Sequence, residues 1–187
     1  MKTKIEISAR HIHLSKDDFF ALFNLDQMQV RNYLNSEKGA FASKHTVEIV
    51  GPKGRMHNIR VLGPFRDKSQ LELAKTDAIN LDINAPLELS GSGVGARVRV
   101  VGPKGEFIKN IAMIARRHWH ISNTLADKLK LSTGKKIKIK IGGERSLIFE
   151  NVIVRVKPEF NNYLHLDTDE GNAAQINKEA IGEIILK

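Results

Sequence analysis

Ala9-Arg10-His11-Ile12-His13-Leu14-Ser15 is echoed later in the chain by Arg116-Arg117-His118-Trp119-His120-Ile121-Ser122. The histidine spacing, the apolar residue that follows and the serine all coincide. Residues two apart on an extended chain project to the same face, so each HxH presents two imidazoles one way and turns Ile12 or Trp119 toward packing on the other. Each copy runs on into a helix-like segment. Ser15 is placed to cap Asp17 to Phe23 with Asp18 closing a capping box, and Ser122 to cap a helix carrying Leu125 and Leu129. Strand, HxH and short helix therefore occur twice, which is the mark of an internal duplication.

Beyond each copy the apolar period changes to two. Val47 and Ile49 are followed by Ile59 and Val61 in the first half, and Ile137, Ile139 and Ile141 by Val152, Val154 and Val156 in the second. Gly51-Pro52-Lys53-Gly54 and Gly142-Gly143-Glu144 supply turns between these strands, and a further Gly102-Pro103-Lys104-Gly105 lies between the halves. Hairpins rather than crossover helices are predicted to dominate, giving a mainly β chain with short helices. The predicted lobes are residues 11–115 and 116–187, with residues 1–10 free to add a strand to the second.

A third echo pairs Leu71-Glu72-Leu73, followed by Thr76-Asp77-Ala78, with Leu164-His165-Leu166, followed by Thr168-Asp169-Glu170. In that register Glu72 stands opposite His165. The first half then offers His11, His13 and Glu72, and the second His118, His120 and His165, which account for five of the seven histidines. Three histidine or carboxylate ligands leave one position of tetrahedral zinc open, the pattern of a catalytic rather than a structural ion. His45 and His57 have no partner at ligand spacing and are read as structural.

Composition narrows the function classes. The 187 residues contain no cysteine, which excludes disulfides, thiolate zinc sites and a cysteine nucleophile. Met1 to Ile7 alternates charged and apolar residues without the apolar region of a signal peptide, and no run of about 18 apolar residues occurs, so no membrane partner and a cytoplasmic address are expected. A net charge of +9 suits an anionic partner or a basic surface, including the alternating Lys135, Lys136, Lys138 and Lys140. Nucleic acid is disfavoured as that partner: aromatic residues make up 6%, and no strand interleaves aromatic with basic side chains.

The segments SARHIHLS (8–15), KHTVEIVGPKGR (44–55), RVLGPFR (60–66), QLELAKTDA (70–78), SG (90–91), ARRHWHIS (115–122) and HLDTDEGNAA (165–174) resemble the PduL-type phosphate acyltransferases, phosphate propanoyltransferase and phosphotransacetylase, over nearly the whole chain. The resemblance implies two small antiparallel β-barrels, each with a short capping helix, enclosing a site with two zinc ions per chain, and a homo-oligomer. It also implies that the first strand can cross into the second barrel. It matches the zinc ligands to His11, His13 and Glu72 on one side and to His118, His120 and His165 on the other. Arg66 of the LGPxR segment is implied to bind phosphate, and Ser90 to line the site. The stretch Leu87-Glu88-Leu89-Ser90-Gly91-Ser92 lacks the arginine before and the acidic residue after the SG segment that the family often carries, which points to a difference in substrate preference there. Met1 stands only ten residues before His11, so a free cytosolic enzyme is expected rather than a microcompartment member with a targeting extension.

The function this implies is the interconversion of a short-chain acyl-CoA plus phosphate with an acyl phosphate plus coenzyme A. Direct phosphate attack is expected, with zinc holding both reactants and Arg66 adding a charge-assisted fork. Two other readings use the same residues. A zinc-dependent hydrolase would employ the triads with a metal-bound water, and a non-enzymatic basic barrel pair would bind nucleic acid. A structural zinc tying two lobes together is the blandest version.

Overall fold

The computed structural model describes residues 1–177 and 179–186. In chain order the elements are β1 (Lys2–Ser8), β2 (His11–His13), α1 (Lys16–Phe23), β3 (Val30–Tyr33), β4 (Phe41–Val50), β5 (Arg55–Gly63), β6 (Gln70–Leu73), α2 (Lys75–Leu81) and β7 (Leu87–Glu88). They continue with β8 (Ala96–Val101), β9 (Glu106–Ala115), β10 (His118–Ile121), α3 (Asn123–Leu129), β11 (Lys136–Ile141), β12 (Leu147–Val156), β13 (Tyr163–Asp167), α4 (Thr168–Ala173) and β14 (Glu179–Ile185). The protein is mainly β. No helix among the described residues is long and apolar enough to cross a membrane.

Two compact units divide the chain. One comprises Ala9–Leu34 and Gly39–Ala115; the other comprises Met1–Ser8, Asn35–Lys38 and Arg116–Lys187. In the first, β4, β5, β2, β6, β9 and β8 pair in turn and close on β4, with β3 beside β4 and β7 beside β9. In the second, β1, β13, β10, β12, β11 and β14 close a barrel in the equivalent order.

The barrels are not purely antiparallel. β2 runs parallel to β5 and β6 to β9, and β10 runs parallel to β12 and β13 to β1. A parallel neighbour needs a long crossover rather than a tight turn; α1 and β4 supply it between β2 and β5, and α3 and β11 between β10 and β12. The strand that leads into each HxH belongs to the other barrel. β1 runs into β2 but pairs with β13 and β14, while β9 runs into β10 but pairs with β6 and β8. The exchange is thus reciprocal.

One turn changes its meaning. Gly102-Pro103-Lys104-Gly105 does not separate the halves; it is the β8–β9 hairpin inside the first unit, closed by Gly102 N–H donating to Gly105 C=O at 2.8 Å. Its twin, Gly51 to Gly54, closes the β4–β5 hairpin in the same way at 2.9 Å. Each turn seats on a helix end: Lys53 N–H donates to Leu81 C=O at 3.3 Å and Lys104 N–H to Leu22 C=O at 3.0 Å, satisfying carbonyls that the helices leave open. Glycine is required for the approach, because a Cβ on Gly51 would lie 2.2 Å from the Leu81 oxygen and one on Gly102 2.6 Å from that of Leu22.

The middle residues of the two HxH segments anchor the cores. Ile12 is fully buried among Leu14, Phe19, Val61 and Leu71, and Trp119 among Ile5, Ile121, Val154 and Leu164. Burying each such side chain contributes about 1.5–3 kcal/mol. Trp119 Nε1, which needs an acceptor once buried, donates to Asn162 Oδ1 at 2.8 Å and Thr3 Oγ1 at 3.0 Å.

The helix caps are local and largely as the sequence predicts. Ser15 Oγ accepts from Asp18 N–H at 3.2 Å, and Ser122 Oγ from Leu125 N–H at 3.3 Å. The capping box at Asp18 is not closed directly. Ser69 intervenes: Ser15 N–H donates to Ser69 Oγ at 2.9 Å, and Ser69 Oγ–H donates to Asp18 Oδ2 at 2.6 Å. Asp18 Oδ1 is drawn instead to Lys109 Nζ at 2.6 Å.

Candidate metal centres

In the first unit, β2 lies between β5 and β6, and the antiparallel register sets His11 opposite Glu72 and His13 opposite Gln70. Directly opposite residues share a sheet face, so pairing alone brings the three side chains together. Their ligand atoms all lie within 4.8 Å of one another, and all three residues are buried. His11 Nε2 stands 3.7 Å from Glu72 Oε2.

His11 Nδ1 lies 2.8 Å from the Ala9 carbonyl, which can only accept, so Nδ1 carries a proton and Nε2 is the nitrogen that faces Glu72. Burial alone would push the Glu72 carboxyl up, but the His11 and His13 imidazoles and hydrogen bonds from His11 and Ser90 outweigh it and hold Glu72 well below the usual carboxylate range. Burial, then His11 and Arg66, hold His13 well below the ordinary histidine value. The combination is an ionised carboxylate beside a neutral imidazole, the protonation state of metal ligands.

The second unit repeats the construction. His118 on β10 stands opposite His165 on β13, with His120 two residues along. The three ligand atoms again lie within 4.8 Å of one another. His118 Nδ1 lies 2.9 Å from the Arg116 carbonyl, as His11 does from that of Ala9. His120 stacks on Phe160 with centroids 3.6 Å apart and planes at 8°. Burial chiefly, then His118, His165, Arg155 and Lys157, push His120 far below its ordinary value and keep it neutral.

Both His120 nitrogens, and His13 Nδ1, are buried without a hydrogen-bond partner among the described residues. Such groups cost on the order of 1–3 kcal/mol each when left unsatisfied. A cation bound at each cluster would take the lone pair of one nitrogen per ring.

Arg66 and Ser90 join the first cluster. Arg66 Nη1 donates to Ser90 Oγ at 3.4 Å, and Ser90 Oγ–H donates to Glu72 Oε1 at 2.6 Å. His45 lies apart, edge-on to Phe19 and Phe23, and His57 pairs with Glu48 at 3.2 Å.

The family model described as phosphate propanoyltransferase matches residues 4–177. The phosphate propanoyltransferase of Levilactobacillus brevis is 41% identical over 97% of this chain and 88% of its own length. That of Escherichia fergusonii is 45% identical over 90% of this chain and 81% of its own, and that of Listeria monocytogenes 36% identical over 98% and 87%. The chain belongs to the phosphate propanoyltransferase family.

Against that background, the residue of this phosphate propanoyltransferase family member that sequence reasoning passes over is Gln70. It is buried opposite His13, donates from Nε2 to Glu72 Oε1 at 2.7 Å and to Ser90 Oγ at 3.1 Å, and accepts from Gly91 N–H at 2.6 Å. Gln70 and Ser90 together occupy Glu72 Oε1 and leave Oε2 toward His11. The available signal is its position two residues before Glu72, which puts both on one face of β6.

The duplication also aligns differently from its sequence echo. Arg10 pairs with Asp77 at 2.9 Å and Arg117 with Glu170 at 2.6 Å, each arginine preceding an HxH. The counterpart of Asp77 is therefore Glu170 rather than Asp169. Both acids sit at the third helical position, where they accept from the cap residue's N–H, Ala74 at 3.2 Å and Asp167 at 3.3 Å. Place in the first helical turn, not residue identity, determines which acid plays this part.

Proposed function

We propose that this chain transfers a short acyl group between coenzyme A and phosphate at two zinc ions, one held by His11, His13 and Glu72 and the other by His118, His120 and His165. The observation that carries the reading is the doubled histidine cluster, in which His13 Nδ1 and both His120 nitrogens lack a hydrogen-bond partner among the described residues, in a member of the phosphate propanoyltransferase family. When bound, zinc supplies Lewis acidity toward phosphate and the thioester carbonyl.

The chain's own residues do the rest. The guanidinium of Arg66 takes phosphate oxygens in a charge-assisted fork, a geometry lysine does not reproduce. Ser90 and Gln70 hold the Glu72 carboxylate in one orientation, so the first ligand set is arranged before substrate arrives. A phosphate oxygen attacks the thioester carbonyl carbon, the carbon–sulfur bond breaks, and coenzyme A departs as thiolate while the acyl phosphate forms. No acyl-enzyme is needed, and the chain has no cysteine to form one through a thiol.

Metal content and thiol release from acetyl-CoA and propanoyl-CoA, with and without phosphate, test this together. Two zinc ions per chain and thiol release that requires phosphate are expected. Equal release without phosphate makes the protein a hydrolase, and a metal-free, fully active chain removes zinc from the reading.

A further inference from the structure

The two ligand sets differ in one member: the carboxylate of Glu72 in one is matched by the imidazole of His165 in the other. The neighbouring strand restores the balance. In the first unit β9 places Met113 beside Glu72, whereas in the second β1 places Glu6 beside His165, at the equivalent register position. Each barrel thus carries one carboxylate across this pair of positions, on β6 in one and on β1 in the other.

Glu6 is near enough for the difference to matter. Its Oε2 lies 3.9 Å from His165 Nδ1, and its side chain is 28% exposed. Two other histidines of the clusters, His11 and His118, already hold Nδ1 against an oxygen acceptor, the Ala9 and Arg116 carbonyls. His165 sits mid-strand, and a carboxylate oxygen of Glu6 faces its Nδ1. A carboxylate there favours the Nδ1–H tautomer, raises the basicity of Nε2 and offsets part of the charge of a dication held by three neutral imidazoles.

We infer that Glu6 is a positioning residue for the three-histidine site, its carboxylate accepting from His165 Nδ1–H so that Nε2 serves as the ligand nitrogen. This rests on the zinc reading above. A side-chain adjustment of about 1 Å brings the pair into hydrogen-bond range.

The test compares the wild-type chain with E6A and E6Q by zinc titration against a competing chelator, and by long-range proton–nitrogen NMR of the His165 ring. Loss of Glu6 is expected to weaken one of the two zinc sites by about 10–100-fold and leave the other unchanged. E6Q, which preserves side-chain shape and guards against misfolding of E6A, is expected to keep the Nδ1–H tautomer while still losing affinity. Two sites of unchanged affinity in both variants, with an unaltered His165 tautomer in E6A, overturn the assignment of Glu6 and leave the zinc reading standing. A wild-type chain that takes up no zinc overturns both.

Discussion

Ser90 Oγ donates to Glu72 Oε1 at 2.6 Å, on the carboxylate oxygen that does not face His11. The hydroxyl also receives Arg66 Nη1, so one side chain links the arginine assigned to phosphate with a carboxylate assigned to metal. Removing it leaves Gln70 as the remaining side-chain donor to Glu72 Oε1 among the described residues. S90A is expected to fold normally, to weaken zinc at the site containing Glu72 by about tenfold, and to lower turnover at least as much. Chelator competition alongside steady-state kinetics checks this, and unchanged zinc affinity would remove Ser90 from the support of Glu72.

Arg66 is half-buried and placed by its backbone N–H donating to Leu14 C=O at 3.0 Å. R66K keeps the charge and loses the planar fork. The expected result is a rise in the KM for phosphate of about tenfold or more, with the KM for acyl-CoA within about twofold of wild type, since a lost bidentate contact is worth roughly 1.5–3 kcal/mol. Equal effects on both KM values would point to a general disturbance of the site.

Asp77 and Glu170 each combine an ion pair with an arginine and a helix-cap contact. The arginines are partly exposed, so the ion pairs contribute little, and the cap dominates. D77A is expected to lower stability by about 1–2 kcal/mol, roughly 2–8 °C in Tm for a chain of this size. R10A should cost less than half of that. Thermal denaturation of the two variants decides; a larger loss for R10A than for D77A would reverse the ranking.

The zinc-free protein should lose stability as pH falls below about 6.5. Burial lowers the folded-state values of His120 and His13 beneath that of a free imidazole. The unfolded chain therefore binds protons that the folded chain refuses, and stability rises with pH in this range. His11, whose value is raised by Glu72 against the effect of burial, works in the opposite sense: its contribution is present below about 6.5 and is lost as pH rises through its folded value. Comparing chelator-treated wild type with H120Q isolates one group. Between pH 5 and 6 the wild-type stability should fall more steeply by about 1.4 kcal/mol per unit, the slope for one proton. Parallel urea-midpoint curves would show that His120 is not held neutral.

Features that depend on a few neighbouring residues are legible in the sequence. The period-two strands, the seating of Ser15 and Ser122 at helix starts and the inward turn of Ile12 and Trp119 all follow from local backbone geometry. The pairing of Glu72 with His11 and of His165 with His118 is legible only because the chain repeats itself. A single copy would leave the third member of each cluster unidentified.

What stays hidden depends on which strands become neighbours. The sequence around Gln70 or Glu6 does not announce a site. Gln70 matters because the 90–91 turn returns beside β6, and Glu6 because β1 leaves its own repeat to pair with β13. The sequence by itself determined that two HxH units with capped helices would form, since those preferences act over a few residues. The tertiary structure alone decided that β9 in return completes the first barrel, and where each barrel's carboxylate stands, because strand pairing is chosen by contacts between residues far apart in the chain.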